Sequence, residues 1–231
     1  LRAAREGLRR WNALMNRHAQ QEAWQAALAL FAGLAGRGLQ PDAFSCGAAI
    51  GACGRGQRWA QALGFLAVML QKGPRPGVIT YNRCLSACEQ SQQWASAVAL
   101  LAEMRLLCLQ PDVISHNTTI SACSKAEQPA RALRLLAETE ELGLLPDVIT
   151  HNASINACAK GQLWAQALEL LGAMRRRALQ PTVISYGACI SACERGEQWA
   201  RGLQLFVEIP QRGLTPGAVA CNACISACEK G

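Results

Sequence analysis

Cysteine is the residue type whose number first suggests chemistry in this sequence. The chain of 231 residues contains twelve cysteines. Three pairs lie four residues apart, a spacing that places two side chains on one helix face: Cys84 and Cys88, Cys189 and Cys193, and Cys224 and Cys228. No histidine or further cysteine completes a four-ligand zinc set at the usual close spacing. We therefore predict small buried cysteines in a reducing compartment, and no metal or other cofactor.

Residue sets typical of enzyme active sites are not found in the sequence. It has no glycine-rich phosphate loop, no Ser/His/Asp set and no cluster of paired acidic residues outside the repeating pattern. His116 and His151 occupy the place in a repeating pattern, described below, that Tyr81 and Tyr186 occupy elsewhere, which favours aromatic packing over catalysis. We expect neither an enzymatic activity nor a small-molecule substrate.

The charge and the hydropathy of the chain further restrict the class of protein to which it can belong. Lys and Arg outnumber Asp and Glu by 23 to 16, and this net charge of +7 suits a polyanionic partner and equally an ordinary soluble protein. Apolar residues make up 51% of the chain, which is enough for a continuous core. No apolar run reaches the roughly 18 residues that a membrane-spanning helix needs, so we expect no membrane contact.

The residues that could position any site recur with a period of 35. The period is marked by prolines at Pro41, Pro76, Pro111, Pro146, Pro181 and Pro216, and by cysteines at Cys53, Cys88, Cys123, Cys158, Cys193 and Cys228. Tryptophan follows it at Trp24, Trp59, Trp94, Trp164 and Trp199, with Pro129 in the one gap. Three independent markers without an insertion indicate an array of repeats. The predicted repeats one to six are 8–42, 43–77, 78–112, 113–147, 148–182 and 183–217, with the end of a preceding segment at 1–7 and a truncated seventh repeat at 218–231.

Each repeat predicts two helices. In the fifth repeat, 148–160 is the first helix, Gly161 and Gln162 are a break, and 163–175 is the second helix, with one apolar stripe at three- and four-residue steps. Position 17, the tryptophan position, is interpreted as core. Neither helix is long enough to be stable alone, so the hairpins must stack. The predicted fold is all-α, an α-solenoid superhelix of 35-residue helix-turn-helix repeats with a long concave face.

Two segments carry a family resemblance. Val78-Ile-Thr-Tyr-Asn82 closes at Gln110-Pro-Asp112, and Val113-Ile-Ser-His-Asn117 closes at Leu145-Pro-Asp147. This pattern resembles the pentatricopeptide repeat family, and the resemblance covers essentially the whole chain. The tetratricopeptide repeat has a 34-residue period and a Trp-x-x-Leu-Gly-x-x-Tyr signature that this chain lacks. The cysteine at position 11 and the tryptophan at position 17 depart from the commonest consensus of the family.

The resemblance implies binding of single-stranded RNA with one base per repeat. In the family, positions 5 and 35 read the base, and Asn with Asp indicates uracil first and cytosine second. The implied readers are Asn12 with Asp42, Asn82 with Asp112, Asn117 with Asp147, Asn152 with Thr182 as a weaker pyrimidine pair, and Asn222 without a partner in the chain. Gly47 with Gly77 and Gly187 with Gly217 have no side chains to read a base, so the implied readout is U, any, U, U, pyrimidine, any.

Two further sets follow from the same alignment. Position 2 is the family's apolar wedge between neighbouring bases, here Phe44, Ile79, Ile114, Ile149, Ile184 and Val219; the alternative is that these side chains point into the helix interface. Position 13 is a cation at Arg55, Lys125, Lys160, Arg195 and Lys230. These cations are interpreted as phosphate contacts, with compensation of the helix dipole as the alternative.

The family works mostly in chloroplasts and mitochondria. The resemblance therefore implies one of these organelles and a role in RNA processing, stabilisation, editing or translation, with protein partners recruited through flanking regions. The alternative function is a protein-binding α-solenoid scaffold. Restriction of position 5 to Asn or Gly favours the RNA hypothesis, because a peptide-binding face would carry varied residues.

Overall fold

The structure is a computed structural model that describes residues 2–21, 23–37 and 39–230, without the side chains of residues 2–6, 19, 20, 35, 72 and 228–230. Every regular element in those ranges is an α-helix. The helices are α1 (Arg2–Gln20), α2 (Trp24–Gly36), α3 (Ala43–Arg55), α4 (Trp59–Lys72), α5 (Val78–Gln90), α6 (Trp94–Leu106), α7 (Val113–Lys125), α8 (Pro129–Glu141), α9 (Val148–Lys160), α10 (Trp164–Arg176), α11 (Val183–Arg195), α12 (Trp199–Gln211) and α13 (Ala218–Lys230). The predicted all-α architecture of helical hairpins is confirmed.

The helix boundaries follow the predicted repeats closely. From α3 onward, every first helix begins at position 1 of its repeat, and every second helix begins at position 17. The first helix, α1, begins before its predicted repeat. It starts at Arg2 and runs through the segment 1–7, which was predicted to be the end of a preceding segment. None of the described helices is long and apolar enough to cross a membrane.

The first helices begin where a side chain can cap them. Asp42 accepts a hydrogen bond from the Ser45 backbone N–H at 2.7 Å, and Asp147 accepts one from Thr150 at 2.9 Å. Such caps satisfy backbone donors that have no partner within the helix. At α5 the same place is Gly77, which has no side chain to form this bond. The residue at position 35 therefore decides whether the next helix is capped.

The break between the two helices of a repeat contains a left-handed residue, and this residue is not a glycine. It stands at position 15, with φ between 53° and 58°, in Gln57, Gln92, Glu127, Gln162 and Glu197. The glycine at position 14 has an ordinary negative φ, as Gly56 does at −80°. Its role is packing, because a Cβ on Gly56 would lie 2.7 Å from the Trp24 ring of the preceding repeat. In the same way, a Cβ on Gly161 would clash with the Pro129 ring, and a Cβ on Gly196 would clash with the Trp164 side chain.

The interpretation of the tryptophans as core residues needs correction. Trp24, Trp59, Trp94 and Trp164 are only partly buried, and 48% of the Trp199 surface is exposed. Trp164 packs on the edge of the core, and the Arg201 guanidinium lies 5.4 Å from the centroid of its ring. The tryptophans at 24 and 164 thus cover a glycine of the next repeat at the surface, which the apolar stripe alone did not predict.

The chain divides into two compact parts, Leu1–Thr118 and Thr119–Gly231. In each part the first helices of successive repeats pack on one another: α3 on α5, α9 on α11 and α11 on α13. The alanines at position 20 are fully buried, as Ala62 and Ala167 show, and accept weak hydrogen bonds at their carbonyls from the Cys84 and Cys189 thiols. Small side chains at this position let the two helices of a hairpin approach closely.

The cysteines at position 11 are core residues. All of those whose side chains are described, from Cys53 to Cys193, are buried, while Cys228 lies outside the described side chains. Burial raises the pKa of Cys53 and Cys158 to about 11, so these thiols stay protonated and unreactive. The structure confirms the interpretation of these cysteines as small buried hydrophobic side chains.

Candidate nucleic-acid interface

The two positions that the resemblance assigns to base reading are in direct contact in the first and third repeats. Asn12 Nδ2 donates to Asp42 Oδ1 at 3.2 Å, and Asn82 Nδ2 donates to Asp112 Oδ1 at 3.2 Å. Each pair joins a residue within a first helix to the residue that precedes the next first helix. The contact is possible because the first helices of successive repeats lie side by side.

A third residue completes each pair, and the sequence analysis did not identify it. The Ser45 hydroxyl donates to Asn12 Oδ1 at 2.7 Å, and the Ser115 hydroxyl donates to Asn82 Oδ1 at 2.6 Å. Both serines occupy position 3 of the next repeat and also belong to the cap of its helix. The signal that could have found them is the Ser or Thr three residues after position 35, which is the spacing of a capping box.

This arrangement fixes the asparagine amide and leaves part of it available. One amide N–H and one lone pair of the carbonyl oxygen are occupied by the aspartate and the serine, so one donor and one acceptor remain. Asn82 is half-buried, and no other group in the described ranges bonds to it. Only 5% of the Asn12 surface is exposed. In the third repeat the serine and aspartate oxygens that bond to the amide lie 2.9 Å apart, so both occupy one edge of the amide, and the remaining donor and acceptor lie on its two outer sides.

The two aspartates are held as carboxylates. Burial raises the pKa of Asp112, but hydrogen bonds from the Ser115 backbone, the Ser115 hydroxyl and Asn82 lower it more, and the net pKa lies below its ordinary value. Asp42 has a lowered pKa for the same reasons. Both groups are therefore ionised at neutral pH and act only as hydrogen-bond acceptors.

The remaining predicted readers are arranged differently. In the fifth repeat Ser185 donates to Asn152 Oδ1 at 2.6 Å, but Thr182 reaches Ser185 at 3.3 Å and makes no hydrogen bond with Asn152 itself in the described structure. Asn222 is exposed on α13. Asn117 and Asp147 fall in different parts of the chain, so their pairing stays a prediction.

The two repeats without reading side chains contain cavities. One of 540 Å³ is lined by Gly47 and Gly77 and lies beside Phe44 and Ile79. The other, of 680 Å³, is lined by Gly187 and Gly217. Its walls include the position-2 side chains Ile149, Ile184 and Val219. In both repeats the space that a reading side chain would fill is bordered by successive position-2 residues.

The position-2 side chains are exposed to solvent. The exposed fraction is 52% for Phe44, 74% for Ile79, and between these values for the others, which are Ile114, Ile149, Ile184 and Val219. The alternative that these side chains point into the helix interface is therefore wrong. These apolar side chains, spaced by one repeat, therefore face solvent and are available to an apolar partner.

The cations at position 13 lie at the ends of the first helices. Arg55, Lys125 and Arg195 are exposed, and Lys230 lies outside the described side chains. The Lys160 ammonium donates to the Lys125 backbone carbonyl at 3.3 Å, where it caps α7. Lys160 therefore fits the alternative of compensation at a helix end, while the exposed members keep their charge in solvent.

Position 4 is an aromatic packing position, as expected. His116 and His151 are buried, and Nδ1 of each lies within 3.1 Å of the backbone carbonyl at position 35 of the preceding repeat. Tyr81 and Tyr186 occupy the same place and are equally buried. Among the described residues, no three His, Cys, Asp or Glu side chains are grouped so that they could hold a metal ion.

Family models match most of the sequence. The PPR repeat family matches residues 76–125, 111–160 and 146–195, each match offset by one repeat. The pentatricopeptide repeat domain matches 29–91, and a further PPR repeat matches 184–214. No curated protein matches the sequence.

Solved structures agree with the family models. The chain is similar to the pentatricopeptide repeat protein PPR10 from maize, with 25% identity and a TM-score of 0.69 over 93% of this chain and 31% of that one. With PPR10 in complex with an 18-nt psaJ RNA element the TM-score is 0.76, at 24% identity over 100% of this chain and 34% of that one.

A third similar structure is shorter. The PPR domain of Arabidopsis thaliana protein-only RNase P 1, in complex with tRNA, has a TM-score of 0.65 at 10% identity over 78% of this chain and 95% of that one. The fold is thus an α-solenoid of stacked hairpins, as predicted, and the chain spans about a third of the length of PPR10.

Proposed function

Because the chain belongs to the pentatricopeptide repeat family, we propose that it binds single-stranded RNA and reads one base per repeat. The observation that carries this proposal is the Asn–Asp–Ser arrangement at Asn82, Asp112 and Ser115. It holds one amide in a fixed orientation with a donor and an acceptor still available, which is the requirement for recognising the edge of a base. The proteins of known structure that the chain resembles include PPR10 bound to an RNA element, which supports the same proposal.

We assign a pyrimidine to these asparagines, and uracil first, because the family pairs Asn at position 5 and Asp at position 35 with these bases. Uracil can donate from N3–H to the asparagine Oδ1 or accept at O4 from Nδ2. Cytosine presents the complementary N3 and N4–H₂ and is the second choice. The proposed readout is U, any, U, U, pyrimidine and any across repeats one to six. The fifth repeat is weaker because Thr182 does not hold Asn152 directly.

The exposed position-2 residues supply the second part of the proposed site. We assign them to stacking between neighbouring bases, since five of the six are β-branched and stiff, and a flat base would cover their exposed apolar surface. Phe44 is the aromatic member of the series. This role explains why position 2 is apolar in every repeat from the second onward, although more than half of the surface of each of these side chains is exposed.

Phosphate binding is the third part. Arg55, Lys125 and Arg195 are exposed at the ends of first helices. Lys160, which bonds to the Lys125 carbonyl, and Lys230, whose side chain lies outside the described part, are the remaining members of the proposed series. Neutralisation of phosphates releases counterions, so the affinity must fall as the salt concentration rises. The net charge of +7 acts in the same direction.

The biological setting is proposed from the family. We place the chain in a chloroplast or mitochondrion, as a non-enzymatic binder acting in RNA processing, stabilisation, editing or translation. It spans only about a third of PPR10, so the target transcript and any protein partners depend on the whole protein.

Titration with RNA of defined composition tests the proposal. Fluorescence anisotropy with uridine-rich and adenosine-rich single strands, each at a low and a high salt concentration, should show tighter binding of the uridine-rich strand and a loss of affinity with salt for both. Equal affinity for the two strands together with no salt dependence would reject RNA binding in favour of a protein-binding scaffold.

A further inference from the structure

The second repeat lacks side chains at both reading positions, yet the space beside Gly47 is occupied. A Cβ built on Gly47 would lie 2.5 Å from Arg83 Nη1 and 3.4 Å from Arg83 Cζ. The Arg83 guanidinium therefore stands where the reading side chain of the second repeat would stand. It comes from position 6 of the third repeat and reaches back across the α3–α5 packing.

No other repeat has this arrangement. Position 6 is Ala or Thr elsewhere, at Ala13, Ala48, Thr118, Ala153, Ala188 and Ala223. The sixth repeat also has glycine at both reading positions, but the nearest atoms to a Cβ on Gly187 belong to Val219 and the backbone of Ala220. No charged side chain in the part of the chain that the structure describes lines the cavity of the sixth repeat, whereas the Arg83 guanidinium lines the cavity of the second repeat.

The Arg83 guanidinium has no acceptor in the described part of the chain. It is half-buried, and its pKa is lowered first by burial and then by the like charge of Arg55. Partial desolvation next to a second cation costs free energy that no carboxylate offsets here. A bound group with acceptor atoms would supply the missing hydrogen bonds.

The position of the Arg83 guanidinium indicates which chemical group would supply these acceptor atoms. It lines the 540 Å³ cavity beside Phe44 and Ile79, which is the place the proposed function gives to the second base. A guanidinium presents only donors, in a planar fork that matches two adjacent acceptors. Guanine offers such a pair in O6 and N7, and contact between arginine and this edge is the commonest specific base contact in the reading of double-stranded DNA.

We propose that Arg83 makes the second repeat selective for guanine instead of indifferent to the base. The proposal rests on the proposed function, since it needs RNA in the interface. Adenine places a donor beside N7 and is mismatched, and uracil has no adjacent acceptor pair. Cytosine has adjacent acceptors in N3 and O2, but it is smaller than the space that two glycines leave, so a purine fills the cavity better.

The test uses the full chain and four RNAs that carry uracil at the first, third and fourth bases and differ only at the second. The guanine RNA should bind about tenfold more tightly than the other three, the discrimination expected of one bidentate contact. Arg83→Ala should remove this preference while leaving discrimination at the third base unchanged. Alanine is what this position carries at Ala48, Ala153 and Ala188, so the melting temperature should stay the same.

Arg83→Lys separates a base contact from a phosphate contact. Lysine keeps the charge but not the fork, so the preference for guanine should fall while affinity for the other three RNAs is retained. Equal weakening of all four RNAs by Arg83→Ala would show a phosphate contact and overturn the proposal, as would a wild-type preference for cytosine or none at the second base. Failure of RNA binding itself would show differently, as no affinity for any of the four RNAs.

Discussion

Asn82 and Asp112 are 30 residues apart in the chain, and their side chains meet at 3.2 Å between Nδ2 and Oδ1. The same Asp112 carboxylate accepts the backbone N–H of Ser115 at 2.8 Å and so caps α7. One carboxylate therefore both orients the proposed reader and fixes the start of the next helix. The reader is held before any ligand arrives, which reduces the entropy that binding would otherwise cost.

The state of the Asp112 carboxylate leads to a pH prediction. Its pKa in the folded protein lies below the ordinary value of 3.8, so its stabilising contribution is complete above about pH 4 and is lost as the pH falls through the lowered pKa. Asp112→Ala should reduce the free energy of unfolding by about 1 kcal/mol, the scale of one cap. Urea unfolding of both proteins should give a constant difference from neutral pH to about pH 5 and a shrinking one below about pH 4. A difference that disappears between about pH 7 and 5 would require a raised pKa and contradict the assignment.

The contact between Gly56 and Trp24 leads to a stability prediction. A Cβ at Gly56 would lie 2.7 Å from the indole ring, so Gly56→Ala should lower the free energy of unfolding by about 1–3 kcal/mol through overpacking. Gly64→Ala is the matched control, because no atom lies within 4 Å of a Cβ there. In the middle of α4 this control should stabilise the protein by roughly 0.5–1 kcal/mol. Thermal unfolding that ranked the two variants in the opposite order would exclude the packing role of Gly56.

Much of the fold could be predicted from the sequence, and the reasons are physical. Helix starts at Val78, Val148 and Val183 follow from a period marked by proline, which biases its neighbour away from the helical region. The tryptophans were assigned incorrectly because helical periodicity shows which side chains share a face and does not show what covers that face. The glycine that Trp164 covers belongs to another repeat, Gly196, at a distance of 32 positions in the chain.

The candidate site was predicted less completely. Asn82 and Asp112 were identified, but Ser115 and Arg83 were not, because the resemblance assigns roles to positions 2, 5 and 35 only. Both missed residues act across a boundary between repeats, as Arg83 does at Gly47. Such contacts cannot be predicted from one repeat by itself, because they depend on which side chains the stacking of α3 on α5 brings together.

The exposed cation Arg55 leads to a prediction about salt. Arg55→Gln introduces the residue that the chain itself has at Gln90, the same position of the third repeat. If Arg55 neutralises one phosphate, the slope of log affinity against log salt should become shallower by about 0.7 for single-stranded RNA. Arg134→Gln makes the same change of charge at an exposed site on the second helix α8 and should change the slope much less. Equal slopes for the two variants would leave compensation at the helix end as the role of Arg55.

The sixth repeat offers a gain of function. A Cβ on Gly187 would lie 3.6 Å from Val219 Cγ1, an ordinary contact, and a Cβ on Gly217 would lie 3.1 Å from Val183 Cγ1, which must shift slightly. The triple variant Gly187→Asn, Gly217→Asp and Ala220→Ser would rebuild the arrangement seen at Asn82. Its sixth base should change from no preference to a preference of about tenfold for uracil, measured with RNAs that differ only at that base. The single variant Gly187→Asn, which lacks the aspartate and the serine, should give a smaller preference. A triple variant that stays indifferent would mean that the three residues do not suffice to read a base.

Asn82 is proposed to read the third base, and a double-mutant cycle measures this role. Affinities are measured for the wild type and Asn82→Ala, each with uracil or adenine at the third base of the same RNA, and Asn12→Ala serves as the matched control. Wild type should prefer uracil by about tenfold, Asn82→Ala should lose this preference, and Asn12→Ala should keep it while losing discrimination at the first base. A preference for uracil at the third base that survives Asn82→Ala unchanged would contradict the account.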